Sequence, residues 1–145
     1  MITWLIRARS GVPTLLLISV LVFLVPASPQ ADNTDAAIRN TILTQIEAFA
    51  NDDNEAAWKM ASEGIKRRFG TPDIFMAMVK QAYPAVHGAS AIEFLDRVPH
   101  GGFDIQVVRV SGPEGQRWVV YYRMIRVEDG WKIGGVQVQP TDPGI

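Results

Sequence analysis

The chain has 145 residues, of which 48% are hydrophobic and 20% are charged. This composition is ordinary for one globular domain and excludes intrinsic disorder or a coiled coil over most of the length. The net charge is −1, from 14 basic and 15 acidic residues, so the chain lacks the excess positive charge needed for broad nucleic-acid binding. It contains no cysteine, which excludes disulfides, thiolate catalysis and cysteine-ligated zinc.

The N-terminal segment has the pattern of an export signal. Arg7 and Arg9 precede an almost entirely apolar run at residues 11–25. A helix of that length reaches about 22 Å, short of the roughly 30 Å hydrocarbon core of a bilayer. Small residues around Ala27 resemble a signal-peptidase site. We therefore predict a signal peptide at residues 1–27 and an exported protein, periplasmic or secreted. An uncleaved membrane anchor is the alternative.

Helical spacing dominates the next part of the chain. After a short linker at residues 28–34, one apolar stripe is predicted on the first helix. A second helix follows the polar cluster at residues 51–54 and runs to about Glu63. A third begins at residues 71–73, where an N-cap threonine, a proline and an acid occur in the order typical of a helix start, and Pro84 ends it. The stripe of the first helix is formed by Ile38, Ile42, Ile46 and Phe49.

After Gly88 the apolar period changes to two, which predicts strands. Short turns rich in glycine separate the strands, so an antiparallel meander is expected. Helices followed by strands predict an α+β fold, with three N-terminal helices packed on a curved four-stranded sheet. The domain is expected at residues 35–139, with a C-terminal tail at residues 140–145. The predicted strands are Ala91–Val98, Phe103–Ser111, Gln116–Val127 and Trp131–Gln139.

Several short motifs occur along the chain in a recognisable order: AFANDD (48–53), IKRRFG (65–70), FMAMV (75–79), YP (83–84) and GWKIGG (130–135). With three leading helices and a closing hairpin, the chain resembles the nuclear transport factor 2-like superfamily, a cystatin-like α+β cone that also includes ketosteroid isomerase and polyketide cyclases. The motifs themselves are similar to the uncharacterised bacterial family called domain of unknown function 4864. The resemblance implies the cone fold and an exported location, and it implies no reaction.

The third predicted strand is apolar on both faces. Helices can cover only one face of a sheet, so the other is expected to meet a second copy of the chain, or to be enclosed as the sheet curls. We predict a homodimer through the sheet. One face carries Trp118, Val120, Tyr122 and Met124, and the other carries Val119, Tyr121, Arg123, Ile125 and Val127.

The last hairpin sets the predicted pairing of the closing strands. If residues 128–130 form a three-residue turn, Val127 faces Trp131 and Arg123 faces Gly135. The glycine pair that includes Gly135 can hold a β-bulge, which would sharpen the curl of the sheet.

Tyr121 and Arg123 are the candidate ligand-binding residues. Gly135 leaves room beside them, and a cation next to a phenol in an apolar hollow can hold a carboxylate or another small anion. The alternative is an arginine that reaches the sheet edge, or that pairs with an acid at the dimer interface.

Among the other polar residues, no acid–base pair stands out, and no catalytic residue is assigned. His87 and His100 are the only histidines and lie thirteen positions apart, so no metal site is predicted. Asp73 would serve as a general base only in a cavity, and its place at a helix start already explains it. The basic run at residues 66–68 complements a helix C-terminus, with an anionic surface as the alternative partner.

Two functions from different classes follow from these observations. The preferred one is a non-catalytic exported module that binds a small ligand or a protein, without metal or cofactor, and contacts a membrane only if the signal segment is retained. The alternative is a small lyase, isomerase or cyclase, in which Tyr121 and Arg123 stabilise an enolate-like anion and an aspartate moves the proton. A partnered acid inside the cone would favour the enzyme, and an apolar cone would favour the module.

Overall fold

The computed structural model describes residues 29–141. The predicted signal peptide at residues 1–27 and the last four residues of the predicted tail lie outside this range. Among the described residues, no helix is both long enough and apolar enough to cross a bilayer. The predicted α+β class is confirmed, since helices come first and strands follow: α1 (Pro29–Ala50), α2 (Asn54–Met60), α3 (Glu63–Phe69), α4 (Pro72–Ala82), α5 (Pro84–His87), β1 (Ala91–Pro99), β2 (Asp104–Ser111), β3 (Arg117–Val127) and β4 (Gly130–Pro140).

Helix α1 carries the predicted stripe, and all four of its apolar members are buried. The helix begins at Pro29, inside the segment at residues 28–34 that the sequence predicted as a linker. A tertiary contact supports these early turns, because Asp35 forms an ion pair with Arg97 of β1. The helix ends at the predicted polar cluster, where Asp52 adopts a positive φ of 52°, a conformation that aspartate tolerates better than most residues.

The three predicted helices correspond to α1, α2 and α4, and the structure adds two short ones. The chain is extended after α2, because the Ser62 N–H donates to the carbonyl of Ile133 in β4 at 2.8 Å. The Ser62 hydroxyl then accepts the Ile65 N–H, which starts α3 as a separate helix. Pro84 does end α4, but it also occupies the first position of α5, where a proline needs no hydrogen-bond partner.

The four strands form one antiparallel sheet in the order β1-β2-β3-β4, as a meander requires. Each strand lies within one residue of its predicted bounds. The predicted pairing at the last turn is wrong, because Val127 pairs with Gly130 across a two-residue turn rather than with Trp131. A bulge between Met124 and Arg123 adds one residue to β4, and the predicted pairing of Arg123 with Gly135 is thereby restored.

The helices pack on one face of the sheet, here called the inner face. Its residues alternate with those of the opposite, outer face, which no helix of the described chain covers. Tyr122 is the largest fully buried side chain of the core. The inner face includes Ile92, Phe94, Val108, Val110, Val120, Tyr122, Met124, Ile133, Val136 and Val138. The outer face includes Ile105, Val107, Arg109, Val119, Tyr121, Arg123 and Ile125.

Candidate functional site

A cavity of about 510 Å³ lies between β4 and the helices α3, α4 and α5. Its volume falls within the range of about 300–1,000 Å³ that small-molecule sites occupy. Its wall is mostly apolar and includes Phe49, Ile65, Phe69, Phe75, Met78, Val79, Val86, Ile133 and Val136.

Helix α4 supplies much of this wall because its apolar residues recur at helical spacing. Phe75 is buried, and its ring lies 6.1 Å from that of Phe49, 5.7 Å from that of Trp58 and 6.0 Å from that of Phe69. Such tilted aromatic pairs are favourable beyond the area they bury. One turn further along, Met78 is only half-buried and faces the cavity. Three rings of this aromatic cluster, those of Phe49, Phe69 and Phe75, thus form part of the cavity wall.

The glycine bulge of β4 shapes the opposite wall. A Cβ atom at Gly134 would lie 2.6 Å from Cγ1 of Ile125, and one at Gly135 would lie 3.8 Å from Cβ of Arg123. Both neighbours belong to the outer face, so a side chain at either glycine position would point away from the cavity. The cavity therefore meets bare backbone between Ile133 and Val136.

Three polar side chains line the cavity: Gln45, Arg68 and Tyr83. Gln45 is almost fully buried, and its amide donates to the carbonyl of Ala57 at 3.1 Å. Arg68 is exposed and is the one charged residue among the lining residues of the described chain. No aspartate, glutamate or histidine lines this cavity within residues 29–141.

Tyr121 and Arg123, the predicted ligand-binding residues, lie together on the outer face, on the side of the sheet away from the cavity. The Arg123 guanidinium is exposed and lies 4.5 Å from the centroid of the Phe103 ring. Within residues 29–141, no carboxylate lies within ion-pair distance of it. Binding of an anion by this pair stays a prediction.

The other residues weighed from the sequence lie outside the cavity wall. Asp73 is exposed, and its carboxylate accepts a hydrogen bond from Asn54 at 2.7 Å. The ring of His100 stacks on Phe103, with centroids 5.0 Å apart. In the part of the chain that the structure describes, no group of three or more metal-ligating side chains occurs.

A small charged cluster joins the end of α1 to α4 and α5. Asp52 accepts from Lys80 at 2.8 Å and lies 3.4 Å from Nε2 of His87. The hydrogen bond from Lys80, and then that from His87, hold the pKa of Asp52 below its usual value. None of the three side chains lines the cavity, so the cluster orients the helices around it rather than acting within it.

A second charged network ties α1 to the sheet. Arg97 donates to Asp104 at 2.6 Å and also pairs with Asp35. Burial by itself would lower the pKa of Arg97, but the hydrogen bonds to the two carboxylates outweigh it and raise the pKa above its ordinary value. Both acids thus contact one cation, which is a structural arrangement.

The sequence interpretation did not identify Arg68 as a cavity residue, because the run at residues 66–68 was explained by its helix end. A detectable signal was the arrangement IKRRF, in which Ile65 and Phe69 are four residues apart and so share a helix face. Arg68 is three residues after Ile65 and lies beside that face. The glycine pair in GWKIGG was a second signal, since adjacent glycines in a strand leave a wall without side chains.

Comparisons with known proteins agree with this architecture. A family model described as "Domain of unknown function (DUF4864)" matches residues 31–144. No curated protein matches the chain. Among solved structures, the chain is similar to an NTF-2-like protein of unknown function from Silicibacter pomeroyi DSS-3, with 17% identity and a TM-score of 0.55 over 77% of this chain and 98% of that one. The predicted resemblance is confirmed: the chain belongs to the DUF4864 family and has the nuclear transport factor 2-like fold.

Proposed function

We propose that this protein is an exported, non-catalytic module that binds a small apolar ligand in the cavity and works as a homodimer. The observation that carries the proposal is the composition of the cavity wall. It is apolar apart from Gln45, Arg68 and Tyr83, and no carboxylate or imidazole of the described residues reaches it. Such a wall favours binding by burial of apolar surface.

General acid–base catalysis needs a titratable group within hydrogen-bond reach of the reacting atom. Arginine is permanently protonated, and glutamine does not titrate, so neither Arg68 nor Gln45 can act as a base. The remaining polar side chain, Tyr83, has no aspartate, glutamate or histidine of the described residues beside it on the wall to form an acid–base pair. The alternative lyase or isomerase relied on Tyr121 and Arg123, which lie on the other side of the sheet from the cavity. These observations support the binding module over the enzyme.

The outer face supports the homodimer. Five apolar side chains on its two central strands are only half-buried in the single chain, and no helix of the described residues packs on them. An apolar patch of this kind, here bordered by Arg109 and Arg123, is typical of an interface, and a symmetric pair would cover it by using the same surface twice. These side chains are Ile105, Val107, Val119, Tyr121 and Ile125.

Export is supported by the sequence of residues 1–27, with its paired arginines, short apolar run and small residues at Ala27. The absence of cysteine excludes a lipid anchor attached through a cysteine thioether. The module would then act in the periplasm or outside the cell.

The cavity proposal is tested with a neutral apolar probe, N-phenyl-1-naphthylamine, whose fluorescence rises in apolar surroundings. We expect saturable one-to-one binding to the wild-type protein. Met78→Trp places a large side chain in the cavity and should abolish the signal. Ile74→Trp is the matched control, since Ile74 lies one turn earlier on α4, is 55% exposed and does not line the cavity. Probe binding that survives Met78→Trp would contradict the proposal.

A further inference from the structure

We infer that the ligand is an amphipathic anion, whose apolar chain fills the cavity and whose carboxylate, or a similar anionic group, binds Arg68. This inference rests on the proposed function and names the chemical class of the ligand. It draws on how charge, burial and shape are distributed along the cavity.

The cavity changes in polarity from its interior to its entrance. Phe49, Phe75, Val79 and Ile133 are at most 4% exposed and form the interior. Arg68 lies on the same wall but is exposed to solvent, so it stands at the entrance. A site with one cationic end and a dry apolar end matches a molecule with one anionic group and an apolar chain.

The three basic residues of α3 have different surroundings. Lys66 pairs with Glu63, with 3.5 Å between Nζ and Oε1. Arg67 is exposed and does not line the cavity. Arg68 lines the cavity, and no carboxylate lies within ion-pair distance of it in residues 29–141. Of this basic run, Arg68 alone combines a place on the wall with donors that no acid of the described residues occupies.

The guanidinium of Arg68 lies 5.6 Å from the centroid of the Phe69 ring, itself a wall residue. This contact holds the cation beside apolar surface, where a charge-assisted hydrogen bond is less screened than in open water. The planar guanidinium can donate two parallel hydrogen bonds to one carboxylate. The C-terminal carbonyls of α3 disfavour an anion, but the three cations in the last turn offset that effect.

Other ligand classes fit the wall less well. A cation would be repelled by Arg68, the one charged residue on the wall in the described chain. A sugar or a nucleotide presents many hydroxyl and amide groups, and the wall offers only the side chains of Gln45, Arg68 and Tyr83 to meet them. Buried polar groups without partners cost binding free energy, so such ligands would bind weakly.

The test is calorimetric titration of the full mature chain with two probes of equal chain length, decanoate and 1-decanol, below the concentration at which decanoate forms micelles. We expect the wild-type protein to bind decanoate about tenfold more tightly than decanol, which corresponds to one charge-assisted contact near the surface. Arg68→Met keeps the apolar stem and removes the charge, so it should weaken decanoate about tenfold and leave decanol unchanged.

Arg67→Met is the matched control, because it removes the same charge from the neighbouring position without touching the wall, and it should change neither affinity by more than about twofold. Equal affinity for decanoate and decanol in the wild type would overturn the inference and leave the proposed function standing. An equal loss in Arg67→Met and Arg68→Met would also overturn it, since that result indicates general charge attraction. If neither probe binds, both the inference and the proposed function fail.

Discussion

The two faces of β3 have similar apolar content, yet they differ in burial. On the inner face, Val120 and Tyr122 are fully buried beneath the helices. Their neighbours on the outer face, Val119 and Tyr121, remain half-exposed. Because strand residues alternate between faces, adjacent tyrosines in one strand experience opposite environments. The comparison teaches that apolar residues do not form a core by their composition alone. They become part of a core only where another element, here the helices, packs on them.

The ion pairs on the two faces of the sheet also differ in how far they are exposed to solvent. The Arg97 pair with Asp104 lies on the inner side, with side chains 18% and 11% exposed. The Arg109 pair with Glu93 lies on the outer face, with side chains 42% and 60% exposed. Shielding from water strengthens the first pair, whereas solvent screens the second.

We expect the largest difference in the free energy of unfolding between variants of the two adjacent tyrosines, Tyr121 and Tyr122. Tyr122→Ala should lower the free energy of unfolding by about 3–5 kcal/mol, the range for removing a large buried aromatic side chain. Tyr121→Ala should lower it by about 1 kcal/mol or less when the protein is dilute enough to be monomeric. Urea denaturation followed by circular dichroism measures both values, and equal losses would break the comparison between the faces.

Tyr122→Phe serves as the control for that pair. Burial raises the pKa of the Tyr122 phenol well above its usual value, and its hydroxyl has no hydrogen-bond partner among the described residues. Removal of this hydroxyl alone is expected to be neutral or stabilising, since no hydrogen bond is lost. A loss of stability close to that of Tyr122→Ala would show that the hydroxyl, rather than packing of the ring, makes the difference.

The ion pairs provide the next contrast. Arg97→Met leaves the largely buried Asp104 and the more exposed Asp35 without their cation, and we expect a loss of about 1–3 kcal/mol in the free energy of unfolding. Arg109→Met removes an exposed pair and should change it by less than about 1 kcal/mol. Denaturation at low and high salt measures both, and only the small Arg109 effect should vanish with added salt. A larger effect at Arg109 would contradict the assignment of the faces.

Val107→Lys is expected to change the free energy of unfolding least of these variants. Its main effect is expected on the oligomeric state. Val107 is half-buried at the centre of the outer face, opposite Tyr121. A lysine there would place charge inside the proposed dimer interface, so sedimentation equilibrium at micromolar concentration should show a dimer for the wild type and a monomer for the variant. Leu43→Lys, at an exposed position on α1, should leave the dimer intact. A monomeric wild-type protein would mean that the outer face stays exposed.

Local patterns predicted most of the fold. The four strands, the stripe of α1 and the start of α4 at Thr71 depend on alternation, helical spacing and capping, which act over a few residues. The break between α2 and α3 was missed because it depends on the hydrogen bond from Ser62 to Ile133, seventy-one positions away. The turn is one residue shorter than predicted, and the bulge at Gly134 adds one residue to β4, so the two differences cancel. The pairing of Arg123 with Gly135 was therefore predicted correctly although the predicted turn was wrong.

The sequence by itself determined the α+β order, the antiparallel meander and the family, because hydrophobic periodicity, turn residues and ordered motifs are local properties of the chain. It also established that β3 has two apolar faces. Only the tertiary structure decided which face the helices cover, and hence that Tyr122 belongs to the core while Tyr121 and Arg123 lie on the outer face. It alone brought Arg68 to the cavity beside α4 and β4. A cavity is the space that distant segments leave unfilled, so its position depends on their packing rather than on any one segment.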